Sequence, residues 1–123
     1  MASYADFAFE MWRGDTEVFD AAVTVSGVAI DITGCSLRFT AKRNLNDTDA
    51  EAIFQITTAG GGIVITNGPA GLAEITVASA DTAPVTQAIK CYCDLQLVDT
   101  FSNVSTTTTG TLTIKLDVTE TDT

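Results

Sequence analysis

Cys35, Cys91 and Cys93 are the most reactive side chains in this 123-residue sequence, and histidine is absent. A thiolate nucleophile needs solvent access and an activating partner. A structural zinc site needs four Cys or His ligands, and the Cys-x-Cys pair at 91 and 93 supplies only two. Without an imidazole, Ser-His and Cys-His pairs and most general-base arrangements are ruled out. The three thiols stand in phase with apolar neighbours, Cys35 with Leu37 and Phe39, and Cys91 and Cys93 with Leu95 and Leu97. They read as free thiols filling core volume. Their odd number, in a sequence without a secretory leader, argues against a disulfide framework. Paired carboxylates for glycoside chemistry are the one acid–base arrangement left open. The acids nevertheless sit singly at outward strand positions and in turns, where solvated acids belong. The expectation is a protein that is not an enzyme, with no catalytic residues, no metal and no cofactor.

The short motifs are weak. Arg13-Gly14-Asp15 spells an integrin-binding tripeptide, yet it also suits a tight turn in which Gly supplies a positive φ and Asp bonds the backbone. Asn44, Asn46, Asp47, Asp49 and Glu51 are oxygen-rich but lack the spacing and central Gly of a calcium loop. The sequons at Asn46 and Asn103 carry meaning only with a secretory route. Gly60-Gly61-Gly62 has no following Lys-Ser/Thr and opens no helix, so it is no phosphate loop.

The elements that position these residues are strands. Cys91, Cys93, Leu95 and Leu97 alternate with Lys90, Tyr92, Asp94 and Gln96, and Leu112, Ile114, Leu116 and Val118 repeat the pattern. A period of two places one set inward and the other in solvent. Tyr4 to Trp12 alternates likewise, Arg13 to Asp15 turns, and Glu17 to Val25 returns as a second strand. Gly27 precedes a short segment at Val28 to Ile32, and a corner at Asp31 to Gly34 leads into a strand from Ser36 to Lys42. Arg43 to Ala50 is a polar loop. Strands at Ala52 to Thr57 and at Ile63 to Thr66 follow, the latter expected to be buried on both faces. Ser79 to Val85 is the one helical turn, with Ser79 as its cap and Pro84 near its end. Asp99 to Asn103 closes the last hairpin. The final strand runs from Val104 to Val118, with Gly110 expected to mark a bulge or a switch between sheets. About eight strands with regularly spaced turns indicate one domain over residues 1–123, an all-β, two-sheet antiparallel sandwich with one short helical turn.

Sixteen acidic against six basic residues give a formal charge of −10. Such a surface repels phosphate backbones and anionic headgroups, so neither nucleic acid nor membrane is an expected partner. No run of about 18 apolar residues is present. Asp6 and Glu10 occupy the region where a signal peptide carries its positive and apolar segments, so synthesis and initial retention in a cytoplasm are expected.

The order of motifs resembles the immunoglobulin-like β-sandwich modules of tailed-phage virion proteins, including the N-terminal domain of baseplate upper proteins. Trp12-Arg13-Gly14-Asp15-Thr16 is similar to that family's Arg-Gly-Asp-Thr turn. Asp31-Ile32-Thr33-Gly34-Cys35-Ser36-Leu37-Arg38-Phe39 resembles its corner and strand. Gly71 to Ile75 followed by Ala80-Asp81-Thr82-Ala83 resembles its strand and helical turn. Tyr92 to Gln96, Gly110 to Ile114 and Asp117-Val118-Thr119 match its closing hairpin. Cys91 departs from the family, which commonly has an aromatic there. Baseplate upper proteins continue into helical segments, so the expectation here is a stand-alone virion module. The resemblance implies a structural protein in tail, baseplate or capsid surface, docking onto other virion proteins and present as a homo-oligomer. Tyr4, Trp12 and Phe101 are the candidate interface residues, because aromatics at the ends of a sandwich are typical anchors. A capsid decoration (cement) protein is the alternative within this class, and a carbohydrate- or receptor-binding adhesin domain the alternative outside it.

Overall fold

The computed structural model describes residues 7–25 and 27–116. Ten strands form there: β1 (Phe7–Trp12), β2 (Glu17–Ala22), β3 (Thr24–Val25), β4 (Val28–Ala29), β5 (Ser36–Lys42), β6 (Phe54–Thr57), β7 (Ile63–Asn67), β8 (Leu72–Val77), β9 (Ile89–Val98) and β10 (Val104–Lys115). A single helical turn, α1 (Ser79–Thr82), and a 3-10 turn at Asp49–Glu51 accompany them. Ten strands form where about eight were expected, and one of them arises because the Glu17-to-Val25 segment breaks at Val23. There the chain leaves β2, and Val23 donates its N–H to Gly71 O at 2.8 Å while β3 pairs with β4.

One sheet has the order β1-β10-β9-β5-β6 and the second β2-β8-β7. This is the pairing of an immunoglobulin-like sandwich, with β2, β8 and β7 as one layer and β5, β9 and β10 in the other. All pairs are antiparallel except β1 and β10, whose parallel register runs from Phe7 opposite Gly110 to Trp12 opposite Lys115. The antiparallel sandwich expected from the sequence is otherwise what forms. The parallel pair arises because β1 turns at Arg13 into the other sheet, so it joins β10 from far away in sequence rather than through a hairpin.

The inward sets meet in one core. Met11, Leu37, Phe39, Cys91, Cys93, Leu112 and Ile114 come from the larger sheet, and Ile63, Ala73, Ile75 and Val77 from the smaller. Phe9 and Phe19 stack across the gap between sheets with ring centroids 4.6 Å apart. Gly71 shows why one turn residue admits no side chain: its φ is +72°, and a Cβ there would lie 2.7 Å from the carbonyl oxygens of both Ile30 and Val23.

Four local expectations need correction. β7 is not buried on both faces: Ile63 is inside, but Val64 is exposed, because nothing covers the outer face of the three-stranded sheet, where Leu72 and Glu74 of β8 are exposed as well. The irregularity in β10 falls at Thr107, not Gly110. The register with β9 shifts between Thr106 and Thr108, and Thr107 Oγ1 donates to Leu95 O at 3.0 Å. Ser79 does not cap α1. Ala78 holds the cap position, and the Asp81 carboxylate accepts its N–H at 2.8 Å. β10 ends at Lys115, leaving Leu116 exposed, and Val118 lies outside the described residues.

Cys91 and Cys93 are buried and Cys35 is half-buried, all three free. Burial pushes the Cys91 thiol up to about 11, with Arg43 acting weakly the other way. Burial, and then the neighbouring Cys91 and Asp94, push Cys93 up further. Both are therefore protonated thiols at neutral pH. Under native conditions at pH 8, a thiol reagent is expected to modify Cys35 first, with Cys91 and Cys93 reacting only at the rate of global opening. Mass-resolved labelling with and without urea checks this, and fast native modification of Cys93 would contradict it.

Candidate functional site

The three candidate interface residues do not form one site. Tyr4 lies outside the described residues. Trp12 ends β1, 46 % exposed, with Lys115 Nζ 4.2 Å from its ring centroid. That ammonium also lies 3.9 Å from Glu10 Oε1, so the ring, the cation and the carboxylate form a small surface stack. Phe101 sits in the turn before the opposite end of β10. The length of β10 separates the two aromatics by roughly 35 Å.

Phe101 is 84 % exposed on a turn that is firmly tied. Asp99 Oδ1 accepts the N–H groups of Phe101 at 2.8 Å and Asn103 at 2.9 Å, and Asp99 N–H donates to Asn103 O at 3.0 Å. The Asn103 backbone bond is the main reason the Asp99 carboxyl is held below its ordinary range. Ser102 completes the turn at φ +66°. Two further turns share this pole. Ser36 pairs with Val98, which brings the Asp31-to-Cys35 corner beside the Phe101 turn, and Ile32 N–H reaches Gly68 O at 2.9 Å. The bare aromatic ring thus stands on an interlocked platform.

At the other pole the Arg-Gly-Asp segment is committed to the fold. Arg13 Nη1 donates to Val85 O at 3.2 Å, and Gly14 N–H donates to the Thr82 hydroxyl at 2.8 Å. Thr82 is fully buried. The tripeptide therefore fastens β1 and β2 to α1, about seventy residues later in the chain, and its arginine and glycine are half-buried rather than presented.

The oxygen-rich loop is likewise spent internally. Asp47 accepts Asn44 N–H at 3.2 Å, Glu51 accepts Thr48 N–H at 2.8 Å, and Asp49 pairs with Lys42 at 3.0 Å. This loop borders a polar depression of about 150 Å³ on the outer face of the five-stranded sheet, where Lys42, Gln55, Tyr92, Asp94 and Gln96 converge. Thr40 faces this side yet is buried, with Gln55 Nε2 donating to its hydroxyl at 3.1 Å. Burial raises the Asp94 carboxyl, and Lys42 only partly offsets this. The depression has side chains suited to hydrogen-bonding a small polar group. An apolar opening of about 170 Å³ lies between the sheets beside Phe9, Phe19 and Phe39. Both are smaller than the roughly 300 Å³ at which small-molecule sites begin.

The sequence indicated Trp12 and Phe101 as end aromatics, and it missed the Thr82–Gly14 tie and the depression around Asp94. Thr82 carried no signal beyond being a β-branched residue in a helical turn, and Asp94 none beyond its outward phase. No helix among the described residues is long and apolar enough to cross a membrane. No protein-family model and no curated protein matches this sequence.

Two substitutions probe these sites. Thr82→Val removes the acceptor for Gly14 N–H while keeping the shape, and is expected to cost about 1–3 kcal/mol in urea unfolding with an unchanged m-value. Thr82→Ser should retain most of that stability. For Asp94, a raised folded pKa means the carboxyl stabilises the fold while protonated and ceases to do so as pH rises through that value. Asp94→Asn is therefore expected to raise the urea midpoint at pH 7–8, with the advantage disappearing below the ordinary carboxylate range; midpoints measured across pH check it.

Proposed function

We propose that this chain is a non-enzymatic structural protein of a tailed-phage particle, a β-sandwich that docks onto other virion proteins in the tail or baseplate or on the capsid. The observation that carries the docking role is Phe101. A ring with most of its surface in water adds little to its own fold, yet the turn beneath it is fixed by the Asp99 bonds. A pre-fixed aromatic loses little conformational freedom when a partner covers it. The virion context rests on the ordered motif resemblance, from Trp12-Arg13-Gly14-Asp15-Thr16 through Asp31-Ile32-Thr33-Gly34 to the closing hairpin. Partners meet the sandwich at its poles and along the open edges of β6 and β7, where strand addition extends a sheet.

Two further readings stay in view. A capsid decoration role uses the same anchor on a different part of the particle. The adhesin reading is favoured by one specific feature, the aromatic Tyr92 beside Gln55, Asp94 and Gln96 in the polar depression. Glycan binding that is lost with Tyr92→Ala would favour it.

Phe101→Ser is expected to change stability by no more than about 0.5 kcal/mol. It should also weaken incorporation into purified particles by about 2 kcal/mol, or ~30-fold. Electron microscopy with mass measurement of the particles reads both position and copy number. Particles without this chain, or normal occupancy by the variant, would defeat the reading.

A further inference from the structure

The two outer faces of the sandwich differ in charge. On the three-stranded sheet the outward positions include Val18 and Asp20 of β2, Leu72 and Glu74 of β8, and Val64 of β7. Asp20 stands directly opposite Glu74, and Glu74 opposite Val64. Like charges at facing positions repel. No lysine or arginine occurs in β2, β7 or β8, nor anywhere between residues 14 and 37 or between 59 and 89. Val18, Val64 and Leu72 are 53 %, 55 % and 41 % exposed, so the acid pair sits among bare aliphatic side chains.

The five-stranded sheet presents the opposite character. Leu37, Phe39, Cys91, Cys93, Leu112 and Ile114 point inward, which turns Arg38, Lys42, Lys90 and Lys115 outward. These are four of the six basic residues in the chain, set against the carboxylates Glu10 and Asp94 of the same sheet and Asp49, which pairs with Lys42 at 3.0 Å, so the face carries a small positive excess. Trp12 and Tyr92 lie among them as exposed rings.

We propose that copies of this chain associate face to back, the acidic, aliphatic face of the three-stranded sheet in one copy seated on the basic, aromatic face of the five-stranded sheet in the next. The occupant is a second copy because the two faces are charge-complementary parts of one molecule. An isologous pairing of the three-stranded faces is disfavoured, since it sets Asp20 and Glu74 against their own equivalents. The contact is therefore heterologous, and it generates a ring if the rotation closes and a filament if it does not. Repulsion from the net charge of −10 acts across the whole body and is screened beyond about 8 Å at physiological salt, whereas the facing groups meet within that distance. The three-stranded face is small for an interface, so the expected affinity is weak, with Kd in the range of about 10–500 μM. The inference stands apart from the virion reading, because it concerns copies of this chain alone.

Charge reversal on each face tests it. Wild-type protein, Asp20→Lys/Glu74→Lys and Lys90→Glu/Lys115→Glu are followed by sedimentation velocity up to about 500 μM, with urea midpoints confirming that each folds. The expected result is concentration-dependent association of the wild type, at least tenfold weaker association of each variant alone, and restored association at a 1:1 ratio when the two variants are mixed. Asp20→Asn/Glu74→Gln serves if the first variant folds poorly, and should also weaken association. A wild type that stays monomeric throughout, a variant that associates alone as the wild type does, or a mixture that stays monomeric would each overturn the proposal. Loss of virion incorporation in Phe101→Ser leaves this outcome unaffected, so the two readings fail separately.

Discussion

The strict alternation of β9 is the constraint on which the rest of the molecule depends. This strand lies between β10 and β5 and supplies Cys91, Cys93, Leu95 and Leu97 to the core. A slip of one residue against either neighbour would drive Tyr92, Asp94 and Gln96 inward and expose the apolar set. Each register in the five-stranded sheet is thereby fixed. So is the identity of the outer face, because the same alternation that buries the thiols turns Lys90 outward and half-buries Asp94. Core and surface chemistry are two consequences of one phase.

Around that fixed sheet, specific polar ties secure the ends together with the buried side chains of Val23, Ile32 and Val85. At one pole Gly14 and Arg13 bond to Thr82 and Val85, coupling the first crossover between sheets to the segment that leads into β9. At the other, Asp99 gathers its own turn and Gly71 admits the Val23 and Ile30 carbonyls at close range. These ties fix the backbone of the turns next to Trp12 and Phe101. Turns fixed in this way suit the docking role proposed above.

Much of this was legible in the sequence, and the failures have physical reasons. β5, β9 and the lower part of β10 were plain because each buries one face. β7 was misjudged because an uninterrupted Ile-Val-Ile run looks the same in a sheet covered on one face as in one covered on both, and only the layering tells them apart. The bulge was assigned to Gly110 on chemistry, whereas the run from Thr106 to Thr109 offers no alternation to reveal where the phase changes. Ser79 is the better capping residue in isolation, yet a carboxylate three residues along served Ala78. Trp12 and Phe101 were recognised as exposed aromatics, but their separation along β10 depends on how the ends are distributed in space. The bond between Gly14 and Thr82 joins positions that no local pattern connects, and the parallel sense of β1 depends on which sheet receives it.

The parallel pairing of β1 with β10 also sets the order in which the molecule is made. β1 and its partner lie about a hundred residues apart in the chain, so this ladder contributes little until almost all the intervening residues have been synthesised. During translation the nascent chain therefore carries β1 with the hydrogen-bonding edge that faces β10 unmet. The opening strand can complete its ladder only once β10 is available, so its edge is satisfied late in the assembly of the sheet.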